Sequence, residues 1–176
     1  GNEDRGRNGR AGEAAGRIMG DMEVTKEQIE ELLNKALKRF YEKDGCLVDM
    51  VPGVKQDNGG YHVGERAIVF RLAHYMQNFM DEMPEFEGYV LDCEYNRNGT
   101  DIKKLQENCV YPDVIIHQRQ NHENNLFVME VKTYWNKDTG QDMQKIREFM
   151  NPSGKYKYKF GVSLIIGKEN SEARFI

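Results

Sequence analysis

The stretch "VYPDVIIHQRQNHENNLFVMEVKTYW", residues 110–135, predicts two antiparallel β-strands joined by a polar turn. Each half contains a run of β-branched or bulky apolar residues, and the segment "RQNHENN" between the runs is polar. If the turn is centred between Asn121 and His122, Asp113 and Glu130 become direct cross-strand partners. The sequence therefore predicts two carboxylates facing each other on neighbouring strands.

The second strand adds a cation to this pair of carboxylates. Side chains alternate between the faces of a strand, so Glu130 and Lys132 share one face while Val131 points into the core. Magnesium is a hard ion that takes one or two protein carboxylates and fills its remaining positions with water and phosphate oxygens. Asp113 and Glu130 are candidates for these ligands, with the carbonyl of Val131 as a third oxygen. Lys132 is a candidate to orient the attacking water, favour its hydroxide form, or offset charge in the transition state.

The order of these residues carries a family resemblance. Pro112-Asp113, followed after 17 residues by Glu130-Val131-Lys132, resembles the motif of the PD-(D/E)XK nuclease superfamily, which has the restriction-endonuclease-like fold. The resemblance implies a nuclease that hydrolyses phosphodiester bonds, with DNA favoured over RNA as its substrate. It implies Mg²⁺ as the cofactor, with Mn²⁺ as a substitute, and Asp113, Glu130 and Lys132 as the catalytic residues.

The order of predicted elements agrees with that superfamily, whose core runs helix, three strands, helix, strand. An amphipathic helix is predicted over 63–80 and a first strand over 89–95. The two strands of 110–135 would complete a meander. A crossover helix is predicted after Thr139, a candidate N-cap, and "KFGVSLIIG" (159–167) then reads as a strand covered on both faces. The expected fold class is α/β, a mixed central sheet flanked by helices.

Glu65, near the start of the predicted helix over 63–80, is a candidate fourth metal ligand. The first core helix of many superfamily members contributes a glutamate to the metal site, so the resemblance implies that Glu65 binds the metal directly or through water. The alternative is a first-turn glutamate that the helix dipole favours.

Further polar residues are candidates for contacting substrate phosphate: His117, Asp142, Lys145, Lys155 and Lys157. Each has an ordinary alternative. A histidine at a strand end is commonly solvated, an acid and a base three residues apart often pair on a helix surface, and lysines protect strand edges from pairing.

The N-terminal region divides into two parts. Residues 1–22 are rich in Gly, Arg and acidic residues, which predicts a flexible tail, and residues 23–176 are expected to form a single nuclease-like domain. Thr25 and Gln28 match a capping box that begins an added amphipathic helix. The apolar stripe of this helix would pack on the sheet or join two copies into a homodimer.

Composition limits the class of protein. The net charge of -4 and the pI near 5.7 are not the strongly basic balance of a protein that binds nucleic acid through charge alone. Three cysteines without regular spacing suit a reducing compartment, and neither a signal peptide nor a bilayer-length apolar run is visible, so a cytoplasmic protein without membrane partners is expected. A catalytically inactive nucleic-acid-binding or scaffold module with the same fold is the alternative function.

Overall fold

A computed structural model of the chain describes residues 23–49, 62–98, 101–105, 108–121, 123–136 and 138–176. The predicted tail over 1–22 lies outside the described residues. In chain order the elements are α1 (Lys26–Asp44), α2 (Glu65–Met80), β1 (Val90–Cys93), β2 (Arg97–Asn98), β3 (Asp101–Ile102), β4 (Lys104–Leu105), β5 (Asn108–Cys109), β6 (Val114–His117), β7 (Asn125–Thr133), α3 (Gly140–Met150), β8 (Phe160–Ile166) and β9 (Ser171–Phe175). Among these residues, no helix has the length and apolar character needed to cross a bilayer.

The central sheet is mixed and has the strand order β1-β6-β7-β8-β9. β7 and β8 run parallel, and the other neighbouring pairs are antiparallel. A parallel pair needs a crossover connection, which α3 provides. The predicted α/β class, the meander of three strands and the crossover helix are therefore confirmed.

The register of β6 and β7 is the one predicted from the turn. Val114 faces Met129, and one further step places Asp113 opposite Glu130. Asp113 lies just before β6, and its Oδ2 accepts a hydrogen bond of 2.8 Å from the backbone amide of Val131. This bond fixes the Asp113 side chain against the strand that carries Glu130.

Apolar residues fill both faces of the sheet. Val114 and Met129 belong to a core with α1 and α2, whereas Ile115 and Val128 belong to a second core with Ile146 of α3. Because successive side chains of a strand point to opposite faces, an uninterrupted apolar run is needed where both faces are covered. The runs that the sequence shows in β6 and β7 therefore follow from this position between two helical layers.

The N-terminal helix α1 begins as predicted. Thr25 Oγ1 accepts from the amide of Gln28 at 3.3 Å, and Gln28 Oε1 accepts from the amide of Thr25 at 2.8 Å. Its apolar stripe, for example Leu32 and Phe40, is buried in the main core of the same chain. Of the two alternatives for this stripe, packing within the chain or joining two copies, the structure therefore supports the first.

Other predictions differ from the structure. α2 begins at Glu65 rather than at residue 63, with Gly64 as its N-cap. Thr139 occupies the N-cap position of α3, but its side chain makes no capping hydrogen bond, and Asp138 Oδ1 instead accepts from the amide of Gly140 at 3.2 Å. Asp138, the residue before the N-cap, thus replaces the predicted threonine cap.

Two regions contain structure that the sequence patterns did not predict. The link between β1 and β6 contains the small hairpins β2-β3 and β4-β5. Lys103 lies fully buried between these hairpins, and its Nζ donates to the carbonyls of Tyr95 and Arg97. β9 extends the sheet at its far edge, where its largely exposed polar residues gave no strand pattern.

Gly161→Ala is expected to lower the free energy of unfolding by about 1–3 kcal/mol. Gly161 lies on β8 beneath α3, and a Cβ there would overlap Met150 Sδ and Ile146 Cγ2. Urea unfolding measures the change. Gly45→Ala is the matched control, because no described atom lies within 4 Å of the added methyl group. Equal stability of the two variants would show that α3 packs on β8 less closely than described.

Candidate active site

A cluster of charged residues lies where the carboxyl-terminal half of β7 meets the start of β6 and the first turns of α2 and α3. It combines Asp113 before β6, Glu130 and Lys132 on β7, Glu65 at the first position of α2, and Asp142 and Lys145 of α3. The sequence separates these residues by as much as 80 positions. The fold therefore brings together the whole predicted catalytic set, the candidate helix glutamate and two of the candidate phosphate contacts.

Opposite charges alternate through the cluster. Lys132 Nζ lies 3.5 Å from Asp142 Oδ2 and 3.9 Å from Glu65 Oε1. Lys145 Nζ lies 2.7 Å from Glu130 Oε1. Both lysines are about three-quarters buried, so they hold the carboxylates together in surroundings where charge interacts more strongly than in water.

Two oxygens of the cluster are buried without a hydrogen bond of regular geometry among the described residues. They are Glu130 Oε1 and Asp142 Oδ2, and their contacts with the lysines are therefore ion pairs. Burying a carboxylate oxygen without hydrogen bonds costs free energy. Glu130, only 4% exposed, therefore depends on Lys145 to compensate its charge.

Crowding disfavours the charged form of the carboxylates. Burial, together with the neighbouring charges of Asp113 and Asp142, raises the pKa of Glu130 to about 8, although Lys145 opposes the shift. Burial also raises the pKa of Asp113, despite the amide of Val131. A site with several carboxylates that resist ionisation gains most when a divalent cation compensates their charges.

The pKa values of Glu65 and Lys132 also depend on burial and on neighbouring charges. Burial raises the pKa of Glu65 more than the charge of Lys132 lowers it. Burial would lower the pKa of Lys132, but the charges of Asp142, Glu65 and Asp113 together outweigh burial and raise it. Lys132 is therefore an ammonium group at neutral pH, which donates hydrogen bonds and does not accept a proton.

His117 is directed to a different partner. It is buried, and its Nε2 lies 2.8 Å from Asp92 Oδ2 on β1. Burial would raise the pKa of Asp92, but hydrogen bonds from His117 and Arg119 outweigh it and hold that pKa well below its usual range. His117 also lies at the far end of β6, four residues or about 13 Å along the strand from Asp113. The structure does not bring His117 to the cluster.

Lys155 and Lys157 also lie elsewhere. β8 begins at Phe160, so both lysines lie before the strand. Phe160 pairs with Phe127, three residues or about 10 Å along β7 from Glu130. Lys155 Nζ instead lies 3.6 Å from Asp101 Oδ2.

Sequence reasoning missed a recess beside the cluster. Its volume is about 210 Å³, and it lies between the first turns of α2 and the end of β1. Glu65 and Asp113 line it together with Arg66 and Phe70. The available signal was that Phe70 lies beside the apolar stripe of α2 and not on it.

Possible metal coordination depends on the type of ion. Within the described residues, no group of three or more His, Cys, Asp or Glu side chains is arranged to hold a metal ion. Mg²⁺ needs only one or two protein carboxylates, since water and substrate oxygens complete its octahedron. Asp113 and Glu130 provide that donor set, and the buried Glu130 Oε1 without a regular hydrogen bond fits such an ion.

Comparisons with protein-family models, curated protein sequences and solved structures find no match to this chain. Its chemistry is therefore inferred from the cluster itself.

Proposed function

We propose that this chain is a metal-dependent nuclease that hydrolyses phosphodiester bonds, with DNA as the expected substrate. The observation that carries the proposal is the meeting of Asp113 and Glu130 across one strand pair, with Lys132 two residues further on the same strand. The order of α2, the three-strand meander, α3 and β8 agrees with a restriction-endonuclease-like core and supports the proposal.

Asp113 and Glu130 would hold Mg²⁺ or Mn²⁺, with the carbonyl of Val131 and the Glu65 carboxylate as further oxygen ligands. When bound, such an ion polarises a phosphoryl oxygen and lowers the pKa of a coordinated water. The chain prepares the ligands in advance. The amide of Val131 holds Asp113, and Lys145 compensates the charge of Glu130 when no metal is present.

Lys132 has the charge and location to stabilise the transition state. Its ammonium group lies between Asp142 and Glu65, which restrict its position. Phosphoryl transfer places negative charge on oxygens around phosphorus, and a fixed cation in a site with little water stabilises that charge. The raised pKa of Lys132 favours hydrogen-bond donation to the attacking water and to phosphate oxygens. Removal of the water's proton would fall to another base.

Retention of all these groups at one place favours catalysis over a binding or scaffold module. Paired carboxylates that resist ionisation destabilise a metal-free fold, and a module without catalysis has no use for them. The cluster also lies next to an open recess and not beneath a closed surface. A phosphodiester can therefore approach Asp113 and Glu65, which line the recess.

Metal-dependent cleavage of nucleic acid is the expected result for the wild-type chain. Plasmid, linear duplex, single-stranded DNA and RNA are incubated with Mg²⁺ or Mn²⁺, with a chelator as the blank. Asp113→Ala should lower the cleavage rate at least about 100-fold, because a metal ligand and the anchor at Val131 are both lost. Asp101→Ala, which removes an exposed aspartate paired with Lys155, should leave the rate unchanged.

Calorimetric titration with Mg²⁺ and Mn²⁺ separates the remaining outcomes. Equal metal binding by the wild-type chain and Asp113→Ala would remove Asp113 from the metal site. A wild-type chain that neither binds metal nor cleaves any of the four substrates would instead be the non-catalytic module.

A further inference from the structure

The recess next to the charged cluster has one wall formed by catalytic candidates and another formed by an exposed aromatic ring. Asp113 and Glu65 line the first wall, and Phe70 and Val69 of α2 line the second. A substrate group that enters the recess therefore comes within reach of the residues that would hold the metal. The position of the recess makes it part of the substrate path.

Phe70 is the most exposed large hydrophobic residue among the described parts of the chain. Its exposed fraction is 63%, whereas the neighbouring Val69 is buried in the main core. α2 buries its stripe through Ile68, Val69 and Leu72, so Phe70 contributes nothing to that packing. An exposed aromatic face beside a candidate catalytic centre offers a platform for stacking a flat ring.

The size of the recess limits what it can hold. Its volume of about 210 Å³ is below the range of roughly 300–1,000 Å³ that encloses a whole drug-sized ligand. A single planar ring system with part of its sugar suits this volume better than a complete small molecule. A base pair within a stacked duplex does not present a free face to Phe70.

Arg66 supplies charge of the sign that a nucleic-acid strand requires. It lies one helical turn before Phe70, its side chain is 87% exposed, and its Nε lies 2.8 Å from Glu94 Oε1 at the rim of the recess. The i and i+4 positions share one face of a helix, so a base on Phe70 places its phosphate near Arg66. An ion pair of so exposed an arginine contributes little free energy, so Arg66 can exchange the carboxylate of Glu94 for a phosphate at small cost.

The aromatic residues after Lys132 are less suited to this role. His62 stacks on Trp135, with ring centroids 4.0 Å apart and planes 7° from parallel, and Tyr134 contacts the same indole edge-on. One face of Trp135 is therefore already covered, and the residue packs against the main core. The ring of Phe70, in contrast, is exposed and free to stack on a base.

We infer that the recess binds an unpaired nucleobase, which stacks on Phe70 while Arg66 contacts the adjoining phosphate, so that the nuclease selects single-stranded or locally unpaired DNA. The inference rests on the proposed function for the identity of the substrate. The stacking itself is a binding property and is testable without cleavage.

The test measures binding of a fluorescein-labelled single DNA strand of about 16 nucleotides, the upper end of common single-strand site sizes. Fluorescence anisotropy is recorded with Mg²⁺ in a Lys132→Ala background, so that the strand stays intact, and a gel verifies that it does. Phe70→Ala should raise the Kd for the strand by about 5- to 150-fold, as stacking energies for one base imply. The Kd for a blunt duplex of equal length should change by less than about twofold.

Matched variants separate stacking from other effects. Phe70→Tyr should keep the wild-type affinity because it retains the ring, whereas Phe70→Leu should lose most of it. Arg66→Ala should weaken strand and duplex alike, as loss of a phosphate contact does. Ile102→Ala removes another exposed apolar side chain outside the recess and should change neither Kd. Thermal melting verifies that each variant is folded.

Unchanged strand affinity in Phe70→Ala would overturn the inference, and so would equal losses for strand and duplex. A chain that depends on Phe70 for strand binding but never cleaves DNA would support the recess and overturn the nuclease. A chain that cleaves duplex DNA without any effect of Phe70 would support the nuclease and overturn the inference about the recess. A chain that binds neither strand nor duplex would overturn both.

Discussion

Lys132→Ala is expected to lower the rate of metal-dependent cleavage by about 10²- to 10³-fold, the usual loss when one group that stabilises transition-state charge is removed. Lys132 is the β7 cation held between Asp142 and Glu65, and its raised pKa keeps it charged. Single-turnover cleavage with the chain in excess over DNA measures the chemical step. The Kd for DNA should rise far less than the rate falls, because the interaction develops mainly in the transition state.

Lys155→Ala provides the matched control for that experiment. Lys155 is also an ion-paired lysine, but it lies at the opposite end of the sheet and contacts Asp101. Its loss should leave the cleavage rate unchanged. Lys132→Arg should retain part of the rate, since the charge remains while the geometry of the donors changes. Full activity of Lys132→Ala would mean that no reacting oxygen approaches this ammonium group.

The pairing of Asp113 with Glu130 was predictable because it depends on local features of the sequence. A turn centred between Asn121 and His122 in the polar segment pairs Val114 with Met129, which is the register that the two strands have. Asp113 and Glu130 then become partners without any knowledge of the rest of the fold. Lys132 follows from the alternation of side chains along β7.

Residues that join the site through tertiary packing were harder to predict. Asp142 and Lys145 matched an ordinary acid and base pair on a helix surface, and only the seating of α3 against β7 and β8 turns them towards Lys132 and Glu130. The pairing of His117 with Asp92 requires the register of β1 against β6, which no local pattern specifies. Long-range packing therefore decides which polar residues belong to the site.

Other parts of the fold lacked a periodic signal. The β2-β3 and β4-β5 hairpins have strands of only two residues each, too short for alternation to be recognised. The recess beside Phe70 depends on how α2 meets the end of β1. Apolar periodicity predicts which side of a helix is buried, but it does not predict what lies beside the exposed side.

Glu130→Gln should have effects of opposite sign on stability and on activity. In the metal-free chain the pKa of Glu130 is raised from 4.5 to about 8, so between these values the folded state keeps a proton that the unfolded state has lost. The free energy of unfolding of the wild-type chain should therefore fall as the pH rises through this window. Glutamine does not titrate, so above pH 8 the variant should be more stable than the wild type by about 2–4 kcal/mol.

Divalent metal should reverse that order. A bound cation compensates the ionised Glu130, so Mg²⁺ or Mn²⁺ should stabilise the wild-type chain with release of a proton below pH 8, and should stabilise Glu130→Gln much less. Cleavage by the variant should fall at least about 100-fold, since a charged metal ligand is lost. Urea unfolding at several pH values, with and without metal, measures the first effect, and Glu172→Gln on the exposed strand β9 controls for loss of a surface carboxylate. The contradicting result is a variant that is less stable than the metal-free wild type at every pH. It would mean that the ion pair with Lys145 favours ionised Glu130 by more than burial and the neighbouring carboxylates disfavour it. The buried oxygen of Glu130 would then need no metal.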